Sequence, residues 1–500
     1  MLKKFLIILI VFSLLLPIFT ACSGEKPNNP VSDEKNAETP DSGETDIPES
    51  ETPTERIQPN LPDDLDFGGE TFTFIVTGPT YGFGYYETND IYAEQQTGDT
   101  LNDAVYLRNR NVEAKININI AEVKSASVVN DARKAIKAGD NSYDAISAQM
   151  FENANMAQQG ELCNIKQIPN IDLDKPWWDK NAEIELAIKN KLYFTESDIS
   201  TLARSCTLFI IFNKKLAQEY ELGNPYEYVQ NGKWTFDIYA NMAKPLYTDV
   251  NGNGEYDDED IYGMWIFHHN PHYFMMGFGE RMTTNDKDGI PQITWGSDRL
   301  YGAADKIYDF FFDGNACRNV VDMKPTSNFS NMFGYAREGL FANDKFLFFL
   351  GAPVILEELR NMESDFGILP MPKLDENQSR YYSPIDQFGT LLSIPVTCED
   401  ENKTGAILET MAAESMYTLR PAYYETLLKR KYVRDSESEF VLDIIFDNRI
   451  YDLELLFNWG GIVDMMNNMT IKKNRNLASE MEKIYNRMEK AITKNIDAFE

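Results

Sequence analysis

An alternation of strand-like and helix-like segments limits the folds open to this chain more than any other feature of its sequence. Residues 71–77 are β-branched and aromatic, as in a buried strand. Residues 100–114 carry apolar side chains at helical spacing, and residues 116–120 alternate isoleucine with asparagine. A helix over 128–138 and a strand over 143–148 complete the run. Because strands that alternate with helices pair in parallel, the pattern predicts an α/β protein with a parallel sheet covered on both faces.

The rest of the chain continues this mixed pattern. With 500 residues, the chain is too long for one ordinary hydrophobic core, which suggests two or three domains. Its content of 43% hydrophobic and 12% aromatic residues is sufficient for well-packed cores. Further strands are predicted over 207–213, 345–350 and 365–372, and further helices over 214–220, 234–244, 300–312, 404–416 and 476–498.

The first 22 residues have the form of a secretion signal. Two lysines precede a short apolar run, which ends at Thr20, Ala21 and Cys22. The run is short for a bilayer span, which needs about 20 residues. Cysteine after a small pair resembles a bacterial lipoprotein signal, in which residues 1–21 are removed and Cys22 carries fatty acids such as palmitate. Phe19 departs from the leucine usual there, and an uncleaved membrane anchor with an incidental cysteine is the alternative.

Residues 22–63 are predicted to form a disordered acidic tether. The segment is filled with Pro, Ser, Thr, Asn, Asp and Glu, and has few aliphatic side chains to offset the entropy cost of ordering. With the lipidated Cys22, it predicts a globular body held at the extracellular face of the cell membrane.

The net charge of −32 argues against binding nucleic acid or anionic lipid headgroups.

Cys163, Cys206, Cys317 and Cys398 are widely spaced and form no CxxC pair, so a thiolate zinc site has no support. Buried free thiols are the expectation for these four, although an exported protein could pair some of them.

One acidic loop has the register of a twelve-residue calcium loop. Gly254 stands at its sixth position, where a sharp turn is needed, and no second such loop exists. A solvated Asn-Gly turn is the alternative; the loop otherwise predicts a single structural Ca²⁺ site. The expected ligands are Asp249, Asn251, Asn253, Glu255 through its backbone carbonyl, Asp257, and Asp260 in place of the usual glutamate.

All three histidines of the chain, His268, His269 and His272, lie in one short segment. A zinc site would need a further ligand, and Pro271 is expected to break any helix that would put His268 and His272 on one face. The aromatic neighbours favour a loop that lines a binding cleft.

Five segments in this order resemble extracellular solute-binding proteins of the maltose-binding type, the lipid-tethered receptors of ABC sugar importers. They are 66–75 (DFGGETFTFI), 100–110 (TLNDAVYLRNR), 209–214 (FIIFNK), 365–373 (DFGILPMPK) and 423–435 (YYETLLKRKYVRD). The resemblance implies two α/β lobes joined by crossing strands, with the solute between them. By that analogy lobe 1 is 64–203 plus 352–394, and lobe 2 is 204–351 plus 395–500.

Aromatic side chains are the best indication of ligand type, because sugars stack on rings through their apolar faces. Each candidate is, taken singly, more often core than contact, and Trp177-Trp178 could equally be packing. The candidates are Tyr81, Phe83, Tyr85 and Tyr86 after the first strand, Trp265, Tyr273 and Trp459 in lobe 2, and Asp386 and Gln387 near the lobe crossing.

The resemblance implies a monomeric receptor without catalytic residues, which binds a carbohydrate, such as an oligosaccharide, and delivers it to the membrane subunits of an ABC importer. A tethered surface glycoside hydrolase and a ligand-sensing subunit for a membrane kinase remain alternatives. With 79 acidic residues, a catalytic carboxylate pair cannot be identified from sequence, and no G-x-S-x-G, H-E-x-x-H or phosphate-binding glycine loop appears.

Overall fold

The computed structural model describes residues 56–79, 83–329, 331–429 and 436–499. The predicted signal segment, Cys22, most of the predicted tether and Tyr81 therefore lie outside the described residues. Within the described ranges, no helix has the length and apolarity needed to cross a membrane. The four cysteines at 163, 206, 317 and 398 are free thiols.

The elements follow each other in a mixed order. The strands are β1 (Glu70–Thr77), β2 (Ile118–Ser125), β3 (Ala145–Gln149), β4 (Phe194–Thr195), β5 (Phe209–Asn213), β6 (Tyr262–Ile266), β7 (Thr283–Asn285), β8 (Pro291–Ile293), β9 (Cys317–Asn319), β10 (Phe346–Gly351), β11 (Phe366–Leu369), β12 (Ser383–Pro384), β13 (Thr390–Ser393) and β14 (Arg449–Ile450). The helices are α1 (Thr100–Ile116), α2 (Val128–Ala138), α3 (Met150–Gln158), α4 (Lys180–Glu185), α5 (Leu202–Ser205), α6 (Lys214–Glu219), α7 (Pro225–Gln230), α8 (Phe236–Ala243), α9 (Asn270–Gly277), α10 (Asp298–Phe312), α11 (Met332–Gly334), α12 (Glu401–Tyr417), α13 (Leu419–Lys429), α14 (Ser436–Asp447), α15 (Leu453–Phe457), α16 (Ile462–Ile471) and α17 (Leu477–Ala498).

The first sheet has the strand order β2-β1-β3-β13-β4 and defines the first lobe. Strand β1 pairs in parallel with β2 and β3, which confirms the predicted parallel arrangement. Helix α1 begins where Asp99 accepts hydrogen bonds from the N–H groups of Leu101 and Asn102, and it ends at Asn117 in the left-handed conformation. The crossover helices α1 and α2 allow these strands to run in one direction.

The second sheet has the order β11-β5-β10-β6-β9 and defines the second lobe. Strand β6 runs parallel to β10 and β9, whereas β5 runs antiparallel to β10 and β11. The chain passes between the sheets from β4 to β5, returns from β11 to β13, and leaves the first lobe again after α13. Apolar side chains on one face of the first sheet, such as Ile75 and Ile146, are continuous with the core of the second lobe.

The last strand of the second sheet departs from the predicted lobe boundaries. Residues 365–372 were expected in lobe 1, within 352–394, but β11 pairs with β5 of the second sheet. Gly367 explains this pairing, because a Cβ atom there would lie 2.3 Å from both a Phe212 ring carbon and the Tyr226 hydroxyl. A side chain at this position would separate the strand from its neighbours.

Helices α12 and α13 also differ from the predicted division, which placed residues 395–500 in lobe 2. Ile407, Leu408 and Met411 of α12 are buried in one cluster with Phe72 and Phe74 of β1. Helix α13 packs against α1. The apolar stripe of α12 therefore covers the outer face of the first sheet, and only α14 and later elements return to the second lobe.

The end of the predicted tether packs on the first lobe instead of remaining free. The Ile57 N–H donates to the Tyr417 hydroxyl at 2.7 Å, and the Asn60 side-chain amide donates to Asp172 at 2.9 Å. Lys175 donates to the Gln58 carbonyl at 3.1 Å. Ordered structure thus begins several residues before position 63, because polar side chains satisfy this extended backbone.

Candidate functional site

A cavity of about 290 Å³ lies between the two lobes, beyond the carboxyl ends of β1, β6 and β10. Open α/β sheets bind ligands at this kind of position. Aromatic rings form much of its wall. Its lining comprises Phe83, Tyr85, Tyr86, Cys206, Leu208, Trp265, Phe267, His269, Asn270, Tyr273, Phe333, Arg337, Phe349, Leu350, Gly351, Ala352, Val354, Ile355, Asp386, Gln387 and Phe388.

The first-lobe wall is built on the short 3₁₀ turn Gly84–Tyr86. The Tyr86 ring stacks on Phe388 with centroids 4.8 Å apart and planes at 23°. Tyr85 meets Tyr86 edge to face, with centroids at 4.7 Å. Burial raises the pKa of both tyrosines, so their hydroxyls stay protonated and can donate hydrogen bonds.

The second-lobe wall presents a flat aromatic surface with a free donor. Trp265, at the end of β6, stacks on Phe349 of β10 with centroids 5.3 Å apart and planes at 18°. The Trp265 side chain is buried, and its indole N–H has no hydrogen-bond partner among the described residues. A buried donor beside a cavity is costly unless something accepts from it, so this N–H is available to a ligand oxygen.

Two charged side chains, Arg337 and Asp386, line the cavity at the junction of the lobes. Arg337, on the π-helical turn Tyr335–Leu340, donates to the Tyr85 hydroxyl at 3.3 Å and pairs with Glu358. Asp386 lies in the segment between β12 and β13 and accepts hydrogen bonds from the Tyr273 hydroxyl at 3.2 Å and the Phe388 N–H at 3.0 Å. Burial raises the pKa of Asp386 to about 6, so at neutral pH it is an ionised acceptor.

The other titratable side chains of this cavity wall are neutral at pH 7. Burial lowers the pKa of His269 to about 3, so its imidazole is neutral. Burial also raises the pKa of the Cys206 thiol well above its usual range, so it stays protonated. Among the described residues that line this cavity, Asp386 is the one carboxylate.

A second cavity of about 550 Å³ adjoins the first and shares His269 and Gln387 with it. It lies between α2 and α3 of the first lobe and α15 and α16 further along the chain. Its wall is more polar, with amide and charged side chains that suit hydroxyl groups. Those side chains are Asn130, Arg133, Glu152, Asn155, Gln158, Asn458, Asp464 and Asn467.

Most of the predicted ligand contacts meet at the first cavity. Tyr85, Tyr86, Trp265, Tyr273, Asp386 and Gln387 all line it, as does Phe83. Trp459 does not: it is 1% exposed and stacks on Phe457, with centroids at 5.4 Å and planes 4° apart. Sequence reasoning missed Phe349, Arg337 and Phe388. Of these, only Phe388 carried a signal, namely its position directly after Gln387.

Trp177 and Trp178 belong to the core of the first lobe. Both indole N–H groups donate to the buried Glu409 carboxylate, at 3.2 and 2.8 Å respectively.

The histidine segment is part loop, as predicted, and part helix. Helix α9 begins at Asn270 and has Pro271 in its first turn, where the missing N–H needs no partner; His268 lies before the helix and His272 within it. His269 and Phe267 line the cavity, as expected for a cleft segment.

The predicted calcium loop forms a tight turn on the surface of the second lobe. The Asp249 carboxylate accepts from the N–H groups of Gly252 at 2.7 Å and Gly254 at 2.9 Å. The side-chain amides of Asn251 and Asn253 both donate to one Asp257 oxygen, so hydrogen bonds link these three side chains without an ion. Gly254 has a φ of 75°, which glycine adopts without strain.

The last predicted ligand, Asp260, is fully buried and accepts from the Val250 N–H at 3.1 Å. The carboxylates of Asp249, Asp257 and Asp260 are not among the described groups whose ligand atoms all lie within 4.8 Å of one another. An ion bound here would therefore have to draw these carboxylates together.

Comparisons with known proteins relate the chain to others through its fold. No family model matches it, and no curated protein does. Among solved structures, a cyclo/maltodextrin-binding protein complexed with maltotetraose has a TM-score of 0.53 at 14% identity, over 85% of this chain and 97% of that one. Apo RafE from Streptococcus pneumoniae has a TM-score of 0.52 at 13% identity, over 85% and 98%. An ABC transporter solute-binding protein from Thermotoga lettingae, bound with α-D-tagatose, has a TM-score of 0.52 at 14% identity, over 86% and 100%. The chain therefore has the two-lobe, type II fold of periplasmic binding proteins.

Proposed function

We propose that this protein is an extracellular solute-binding protein that captures a carbohydrate between its lobes and performs no covalent chemistry. The observation that carries the proposal is the pairing of aromatic surfaces across one cavity: Tyr86 on Phe388 from the first lobe, and Trp265 on Phe349 from the second. Ring faces suit the apolar faces of sugars, and the Trp265 N–H and Asp386 carboxylate suit hydroxyl groups. Structural neighbours that bind maltotetraose and tagatose support this ligand class.

The adjoining polar cavity supports an oligosaccharide as the ligand. The two cavities share His269 and Gln387, so a chain of sugar units could occupy both without a break. Because the ligand would contact both lobes only when they are closed, binding would shift the population toward the closed state. Delivery to the membrane subunits of an ABC importer is part of this proposal.

A thermal-shift screen over sugars and peptides tests the ligand class, because a ligand that binds only the folded protein raises its melting temperature. For each active sugar, calorimetry compares the wild type with Trp265→Ala and with Trp295→Ala. Trp295 packs on Tyr485 and lines neither described cavity, so it is a matched control. We expect weaker binding only for Trp265→Ala. Turnover of the bound sugar would favour the hydrolase, and response to peptides alone would exclude the carbohydrate proposal.

We further propose that Cys22 is acylated and that the acidic segment after it tethers the body to the membrane. The support is the sequence pattern of basic, apolar and small residues before Cys22. Metabolic labelling with an alkyne fatty acid tests this: the wild type and Cys317→Ser should be labelled, and Cys22→Ser should not. Equal labelling of Cys22→Ser would contradict lipidation at this residue.

The Asp249–Asp260 loop is proposed to hold a structural Ca²⁺ ion. The support is the twelve-residue register of the loop and its carboxylate and amide oxygens, which are the ligands that Ca²⁺ prefers. Melting of the protein in Ca²⁺ and in EGTA tests this. In protein first stripped of transition metals, we expect removal of Ca²⁺ with EGTA to lower the melting temperature of the wild type and of Asp288→Asn, an exposed-turn control, but not that of Asp249→Asn. An unchanged wild-type melting curve would contradict the calcium site.

A further inference from the structure

Three buried side chains with metal-binding groups converge at a point that the proposed sugar site does not use. They are His272 of α9, Asp452 at the start of α15, and Glu454 in the first turn of α15. One ligand atom from each lies within 4.8 Å of the others. Their exposed fractions are 3%, 3% and 2%.

The hydrogen-bond partners of this trio leave ligand-binding atoms free on His272 and Asp452. Neither ring nitrogen of His272 has a partner among the described residues, and the same holds for Asp452 Oδ2. The other Asp452 oxygen accepts from the Glu454 N–H at 2.8 Å, and Glu454 Oε2 accepts from the Thr283 hydroxyl at 3.1 Å. Glu454 Oε1 lies 4.0 Å from His272 Nε2, which is too far for a hydrogen bond.

Such an arrangement is costly in a protein without a further partner. Buried polar atoms are almost always satisfied, and each unsatisfied one loses the solvation that it has in water. Here two adjacent carboxyl groups are buried together. The Arg281 guanidinium interacts electrostatically with both of them, but its hydrogen bond goes to Glu185 at 2.9 Å.

We propose that His272, Asp452 and Glu454 form a buried site for a divalent metal ion of the zinc class. One imidazole nitrogen and two carboxylate oxygens are a ligand set that Zn²⁺ accepts, with water or the Thr283 hydroxyl as a fourth ligand. The nitrogen ligand disfavours Ca²⁺ and Mg²⁺, which prefer all-oxygen sites. The cation would offset the two carboxylates and satisfy the free atoms at the same time.

The position of the trio indicates a structural role behind the wall of the cleft. His272 follows the cavity-lining His269 by three residues on the way into α9. On the other side, Leu455, Leu456 and Phe457 of α15 follow Glu454 directly and line the second cavity. A metal ion held between α9 and α15 would therefore fasten together two elements that shape the cleft. This inference does not depend on the identity of the solute.

Metal analysis of the full chain tests the site. The purified protein is stripped with a chelator, returned to buffer with millimolar Ca²⁺ to saturate the acidic loop, and titrated with Zn²⁺. We expect one Zn²⁺ per chain by mass spectrometry of metals, and a rise in melting temperature. His272→Gln and Glu454→Gln should bind Zn²⁺ at least a hundredfold more weakly. His268→Gln changes a half-buried neighbour outside the trio and should bind like the wild type.

Two further measurements on the wild-type protein test the metal site even if the variants of the trio do not fold. Co²⁺ in place of Zn²⁺ should give visible absorption bands of a four- or five-coordinate nitrogen–oxygen site, and crystals should show anomalous scattering at the zinc edge between α9 and α15. Absence of that peak, or Zn²⁺ binding that His272→Gln does not change, would overturn the site. Trp265→Ala should retain the Zn²⁺ response even where sugar binding is lost, so the two proposals fail separately.

Discussion

Replacement of Asp386 by asparagine should stabilise the ligand-free protein and weaken its binding of sugar. Asp386 lies where the chain passes between the lobes, and its carboxylate faces the first cavity. Asparagine keeps the size and one acceptor oxygen, so the Tyr273 and Phe388 hydrogen bonds can be retained in part. The main change is the loss of a negative charge that burial disfavours.

The effect on stability follows from the pKa of Asp386, which burial raises from 3.8 to about 6. The folded protein holds the proton on Asp386 more tightly than the unfolded chain does. The stability that results is fully present below about pH 4 and is lost as the pH rises through about 6. This rise in the pKa corresponds to a loss of about 3 kcal/mol of unfolding free energy at neutral pH. Because the carboxyl faces the cavity, water screens part of this cost, and we expect Asp386→Asn to add about 1–3 kcal/mol at pH 7 and almost nothing at pH 4.

The effect on binding has the opposite sign. A hydrogen bond to an ionised group contributes about 1.5–3 kcal/mol, so loss of the charge should weaken sugar binding about tenfold to a hundredfold. For the same reason, the wild-type affinity should fall as the pH drops below about 6, where Asp386 takes up a proton.

Urea denaturation at several pH values measures the stability, and calorimetry with a sugar identified by screening measures the affinity. Asp64→Asn, at an exposed position far along the chain from the crossing segment, is the matched control and should change neither quantity. An Asp386→Asn variant that is less stable than the wild type at pH 7, or that binds sugar with unchanged affinity and pH dependence, would refute the reasoning.

Three other substitutions test separate features of the structure. Arg337→Gln removes the hydrogen bond between the π-helical turn and Tyr85 of the first lobe, so it should weaken sugar binding and enlarge the radius of gyration of the ligand-bound protein. Arg360→Gln, which breaks an exposed ion pair with Glu357 in the neighbouring turn, should change neither quantity. Arg449→Met leaves the buried carboxylates of Asp179 and Glu196 without their cation and should lower the unfolding free energy, measured in denaturant, by about 3–5 kcal/mol. A smaller loss than that of Arg360→Gln would contradict the burial of these three side chains. Gly405→Ala in α12 would place a Cβ atom 1.8 Å from the Pro169 carbonyl oxygen and should lower the melting temperature. Gly302→Ala in α10 places its Cβ atom in open space and should stabilise the protein by about 0.4–1 kcal/mol. Equal effects of the two substitutions would contradict the close packing of α12.

Local elements of this fold were predictable from sequence because their signals are local. The observed α2 has the predicted bounds, and β1, α1 and α10 begin or end within two residues of theirs. Their apolar periodicity and their capping residues lie within a few positions of each other. The aromatic and acidic residues of the first cavity were also identifiable, because they follow strand ends or lie near the lobe crossing.

The sequence did not indicate which sheet each segment would join. Strand β11 is a short apolar run that would suit either sheet, and its place depends on close contact with Phe212 and Tyr226. Trp265 and Trp459 both lie in segments rich in aromatic residues, yet Trp265 lines the cavity and Trp459 does not. Such differences arise from packing between segments that are far apart in the chain.

By itself, the sequence therefore determined the class of fold, the succession of strands and helices, and several of the aromatic and polar residues around the first cavity. The tertiary structure alone decided the membership of β11, α12 and α13 in the lobes, the docking of residues 57–60, and the meeting of His272 with Asp452 and Glu454. The physical reason is range: propensity and periodicity act over a few residues, whereas burial, close contact and convergence of ligands require segments that folding brings together from distant positions.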